Sequence, residues 1–298
     1  MNAKVYAARF SVGSNLFLVF AKLAIGLLSG SVSVLSEAIH SAIDLVAAII
    51  ALFSVRVASQ PADEDHHYGH GKVENLSALV EGVLVLVAAG WIVYEALHKL
   101  LQPHAAPEVL LGMLVMAISS ALNFFVSGYL LRVARKERSM ALLADAVHLR
   151  TDVWTSLGVF FGLFLVKLTG FPWLDPVVAI AVAVMITKAG LDLCREALHP
   201  LVDAKLPEAE EQEIIGVIEQ HTGGFAQFHN LRTRQSGSEQ HVDFHLTFPG
   251  SRTLEEVHKV CDEIEAAVRE KFPQAHVLIH PEPCPEDCDV PGCAPGQA

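Results

Sequence analysis

Two short segments carry histidine and aspartate inside otherwise apolar stretches. Residues 36–44 read SEAIHSAID and residues 144–152 read ADAVHLRTD, sharing the pattern acid-Ala-(Ile/Val)-His-x-x-x-Asp. A spacing of four puts His40 above Asp44, and His148 above Asp152, on one face of a helix. Each pair is then half of a metal site. Together they offer two imidazoles and two carboxylates, a set that Zn²⁺ takes in tetrahedral geometry. Charge buried in lipid is costly, so such residues are expected to be functional. A plainer alternative stays open: two interhelical His–Asp hydrogen bonds that only hold a bundle together.

The elements that must position these side chains follow from composition. Of 298 residues, 52% are hydrophobic and 18% charged, against about 25% charge in an average soluble chain. A crossing helix needs about 20 mostly apolar residues. Six stretches qualify: 11–30, 32–56, 76–98, 108–131, 140–167 and 174–195. Turns are expected at Ser29–Ser31, at Gln102, Pro103, His104 and Pro107, and at Thr169, Gly170 and Pro172. Lys and Arg cluster at Lys4 and Arg9, at Arg56 and Lys72, at Arg132, Arg135, Lys136 and Arg138, and at Arg195. The opposite loops hold only Lys99 and Lys167. This asymmetry places both termini in the cytoplasm of a multi-pass protein of the cell (inner) membrane, in contact with lipid. No targeting segment is expected, because the first apolar stretch is too long for a signal peptide.

The net charge of −12 is uneven. Residues 1–199 hold 15 acidic and 14 basic side chains, whereas 200–298 hold 18 and 7. A boundary near Pro200 is expected, with a membrane domain over 1–199, a soluble domain over 200–284 and a flexible Cys/Pro/Gly tail over 285–298. The acidic part disfavours nucleic acid and suits cations. Its pattern reads α-β-β-α-β: a helix over 207–220, strands over 228–235 and 240–248, a helix capped by Thr253 and Glu256 and running to Phe272, and a strand ending at His280. The fold class is thus a six-helix membrane domain plus an α+β domain with helices on one face of a three-stranded sheet.

With the paired membrane motifs, the loop DHHYGHGKVE and the tail segments HNLRTRQSG and VLIHPEP in view, the chain resembles the cation diffusion facilitator family of divalent-metal transporters, including its bacterial zinc/iron-exporting branch. That branch has Asp where this chain has His40. The resemblance implies a homodimer, a cytoplasmic metallochaperone-like domain and metal export in exchange for protons. By the same resemblance Asp63, His66 and His70 form a second site in the loop, with His67 able to replace His66. His229, His245, His258, His280 and Glu282 form a regulatory site in the soluble domain, Glu282 standing where the family has Asp. Lys72 and Asp203 resemble its interprotomer charge pair. Zn²⁺ is the expected substrate and regulatory ligand, since imidazole suits Zn, Fe, Co and Ni whereas all-oxygen sites suit Mn and Mg. Manganese or iron export within the same family is the alternative.

Plainer alternatives stand for the other groups too. The loop histidines can be a solvated His-rich tract, and those of the soluble domain scattered surface residues. Cys284, Cys288 and Cys293 lie in CPEDCDVPGC, where three thiols beside His280 could catch a soft metal or simply end a flexible tail. A zinc-dependent intramembrane enzyme would need HExxH or an open water position, neither of which is visible. A channel would need several weak sites along a pore.

Overall fold

The computed structural model describes residues 3–29, 32–101, 110–171, 173–221 and 224–284. The expected turns at Gly30–Ser31 and Gln102–Pro107, Pro172, and the tail from 285 with Cys288 and Cys293 lie outside them. Two compact units divide at His199/Pro200.

Among its described residues the first unit holds six helices long and apolar enough to cross a membrane. They are α1 (Ala3–Ser29), α2 (Val32–Ala58), α3 (Lys72–Leu101), α4 (Leu110–Glu137), α5 (Met140–Thr169) and α6 (Leu174–Leu201). Helix α1 begins well before the apolar stretch at residue 11. Its first turn carries Lys4, whose ammonium is buried and sits 3.2 Å from Glu74 of α3. A polar but paired start is therefore helical, which an apolar window misses. Ser139 caps α5 by accepting from the Leu142 amide, and also donates to Glu74 Oε2. Gly170 ends α5 at φ 77°, a left-handed conformation that glycine adopts without steric cost.

Small buried residues let α2 and α5 approach other helices closely: Ala47, Ala48 and Ala51 on one, Ala141, Ala144 and Ala146 on the other. Large apolar side chains point outward instead, among them Phe17, Phe53, Phe125 and Phe160. An apolar exterior around a core with polar groups suits a lipid solvent.

The second unit contains α7 (Glu208–Glu219), β1 (Gln227–Ser236), β2 (Glu239–Phe248), α8 (Leu254–Lys271) and β3 (Ala275–Pro283). Its sheet order is β1-β2-β3, with β1 antiparallel and β2–β3 parallel. Val242, Phe244, Leu246 and Phe248 alternate along β2 into a core with Ile214, Ile218, Ile264 and Val268 of the two helices. The other strand face turns away from those helices. Strand β3 continues past the expected end at His280 because its register with β2 runs on through Thr247↔Glu282 and Phe248↔Pro283. Pro281 and Pro283 are tolerated on this edge strand, where no further ladder partner needs an N–H.

Candidate metal centres

Helices α2 and α5 pack together in the membrane unit and bring the two His–Asp pairs face to face. The contacts run crosswise. His148 Nε2 lies 3.2 Å from Asp44 Oδ1, and His40 Nε2 lies 3.8 Å from Asp152 Oδ1. Candidate ligand atoms of His40, Asp44 and Asp152 all fall within 4.8 Å of one another, with His148 joined through Asp44. Asp44 is buried, and the His40 side chain is 55% exposed. Asp152 Oδ2 and His148 Nδ1 are buried without a hydrogen-bond partner among the described residues. A purely structural pair of hydrogen bonds would be expected to leave no such atoms. Arg150, on the same helix, is exposed, away from this face.

The loop between α2 and α3 folds around one carboxylate. Asp63 Oδ1 accepts from the backbone amides of His66 at 2.7 Å and Asp65 at 3.0 Å, and lies 3.2 Å from His66 Nδ1. Its Oδ2 lies 3.3 Å from His70 Nε2. The backbone hydrogen bond from His66, foremost, holds the Asp63 carboxyl below its ordinary value, so it stays anionic. Gly69, at φ 71°, turns the chain so that the two imidazoles sit 4.4 Å apart. The cluster comprises Asp63, His66 and His70, and His67 is exposed outside it.

In the second unit Glu282 is the hub. Its carboxylate lies 2.8 Å from His245 Nδ1, 3.4 Å from His229 Nε2 and 3.5 Å from His280 Nε2. The register explains this: His229 pairs with His245, His245 with His280, and Glu282 is two residues on along the same face of β3. His258 is not brought to this group. It sits on α8, side chain 75% exposed, 3.7 Å from Asp262. Helix α8 packs on the opposite sheet face, so the sheet separates His258 from the others within one chain. Asn230 was not anticipated. A bulge between His229 and Arg232 puts it at φ 56°, a region Asn tolerates, and its Nδ2 lies 3.1 Å from His245 Nε2. Only pairing register reveals a bulge, so the sequence pattern carried no sign of it.

Other expected groups are placed as follows. Asp203, at φ 55°, faces Arg234 at 3.4 Å, and Lys72 opens α3. Cys284 follows β3 at the end of the described residues, and the other two cysteines of the expected tail group, Cys288 and Cys293, lie outside them. Two further membrane polar groups, unassigned from sequence, pair with each other: Lys22 Nζ donates to Ser41 Oγ at 2.8 Å, both buried.

Residues 8–202 match the profile of the cation efflux transmembrane domain, and residues 206–284 that of the cation efflux protein cytoplasmic domain. An uncharacterized transporter of Synechocystis sp. is 38% identical over 281 residues, covering 94% of this chain and 90% of its own. The cation-efflux pump FieF of Serratia proteamaculans is 34% identical over 256 residues, covering 86% and 85%. That of Shigella flexneri is 32% identical over 258 residues, with the same coverage. Helices, tandem domains and relatives agree on a multi-pass metal-cation efflux transporter, not an enzyme. The chain belongs to the cation efflux, or cation diffusion facilitator, family of membrane transporters.

Proposed function

We propose that this protein exports Zn²⁺ from the cytoplasm in exchange for protons, working as a homodimer in the inner membrane with both termini cytoplasmic. The observation that carries this reading is the crosswise quartet of His40, Asp44, His148 and Asp152. Two imidazoles and two carboxylates suit Zn²⁺ better than the hard cations that prefer oxygen alone. Metal ligation requires deprotonated side chains, so Zn²⁺ and H⁺ compete for the same four groups. Exporting two charges against 100 mV costs about 4.6 kcal/mol, and an entering proton offsets about half. Rocking of helices about the site would open it to one side at a time.

The loop triad and the Glu282 cluster bind the same metal on the cytoplasmic side, the latter as a sensor that favours the transporting state. Lys72 and Asp203 form a charge pair between protomers, of the exposed kind that adds little stability.

Proteoliposomes with an imposed pH gradient test the central claim. Native protein should take up Zn²⁺ in proportion to the gradient, and Asp152→Ala should lower Zn²⁺ affinity at least about tenfold. Zinc flux at the native level in the variant overturns the site. Flux indifferent to the gradient overturns proton exchange, and preference for Mn²⁺ over Zn²⁺ overturns the choice of metal.

A further inference from the structure

Close to the quartet lie two acids that this transport reading leaves unused. Glu81 of α3 is 1% exposed and Asp145 of α5 is 2% exposed. Among the described residues, both Glu81 carboxylate oxygens, and Asp145 Oδ2, lack any hydrogen-bond partner. The two acids lie within electrostatic reach of each other and of His148. An independent group points the same way. Ser11 of α1 is fully buried, and its hydroxyl lies beside the Asp145 carboxyl without completing a hydrogen bond of good geometry. Helices α1 and α3 both pack on α5, and Ala78, one turn before Glu81, shares a buried cluster with Ala144, the neighbour of Asp145.

Buried carboxylates left with free oxygens demand a cation or a proton. The donor set here is oxygen alone: two carboxylates and a hydroxyl, with no imidazole required. Such a set suits a hard divalent cation completed by water. Asp145 precedes His148 by three residues, about 4.5 Å nearer the start of α5, the end that the Lys/Arg distribution assigns to the cytoplasm.

We propose that Glu81, Asp145 and Ser11 form a second, all-oxygen cation site in the membrane unit, where the ion pauses between the cytoplasm and the His–Asp quartet. This rests on the transport reading, but its test is separate. A hydrated ion held first by weak oxygen ligands sheds water in stages, and its local concentration beside the tighter site rises.

Mn²⁺ bound to the full-length protein in detergent, counted by electron paramagnetic resonance, provides the test. The double variant Glu81→Gln/Asp145→Asn should bind one Mn²⁺ fewer per protomer than native protein. The same loss should follow when those changes are added to Asp44→Asn/Asp152→Asn, which dismantles the quartet. In proteoliposomes the double variant should raise the KM for Zn²⁺ about tenfold while kcat changes less. An unchanged Mn²⁺ count means the acids hold only protons and overturns the proposal. So does a loss seen only with the quartet intact, since the ion then sat in the quartet. Should the double variant elute as aggregate, Ser11→Ala decides: it removes no charge, and Mn²⁺ affinity equal to native overturns the site. Failure of Asp152→Ala to affect zinc would count against the quartet alone.

Discussion

If the quartet holds the transported ion, His40 is the ligand whose replacement bears most on the choice of metal. It is the more exposed imidazole of the quartet, facing Asp152 across the helix interface. Changing it to Asp replaces nitrogen with oxygen and keeps a ligand in place. Zn²⁺ affinity in His40→Asp should fall on the order of tenfold, and the ratio of Mn²⁺ to Zn²⁺ transport should rise. Competition of the two metals in one proteoliposome assay checks this; an unaltered ratio would mean that selectivity lies elsewhere. The His–Asp spacing was visible in sequence because a helix repeats every 3.6 residues. The crosswise pairing was not, since it depends on how α2 meets α5.

Individual elements are held by local devices that respond to acid. Helix α8 starts with a full capping box: Glu256 accepts from the Thr253 amide at 2.8 Å, and Thr253 accepts in return from the Glu256 amide. That backbone hydrogen bond, foremost, holds the Glu256 carboxyl below its ordinary value. The contribution is therefore complete above the unfolded-state value and is lost as pH falls through the lower folded one. Thr253→Ala should cost about 1 kcal/mol. Hydrogen–deuterium exchange in the first turn of α8 would read it as faster exchange. Because the lost hydroxyl does not titrate, the excess over native should persist in acid, whereas Glu256→Gln should differ from native at neutral pH and approach it in acid. Thr253-x-x-Glu256 before a periodic run was legible as a cap. The extension of β3 to Pro283 was not, because two prolines mask a strand whose extent only register with β2 reveals.

The molecule as a whole couples a membrane transporter to a soluble domain that carries its own cluster. Glu282 gathers His229, His245 and His280, and Asn230 steadies the far nitrogen of His245. If this cluster senses cytoplasmic zinc, it acts by linkage, stabilising the state that binds metal better. His245→Ala should then raise the zinc concentration for half-maximal transport about tenfold, with little loss of maximal flux. A coincident dose response for native and variant protein would remove the sensor role. His258 stands outside the cluster within a chain, because a sheet lies between α8 and that strand face.

Composition and periodicity alone determined the class of molecule, since lipid demands long apolar helices and admits few charges. They also determined which residues share a helical or strand face, because those repeats are local geometry. Which faces meet was decided only by tertiary packing. The join of His148 to Asp44 spans 104 positions, and no local rule reaches that far. The bulge at Asn230, the hub role of Glu282 and the buried company of Glu81 and Asp145 arise in the same way. Each depends on helix approach or strand register, set by how side chains from distant segments fill shared space.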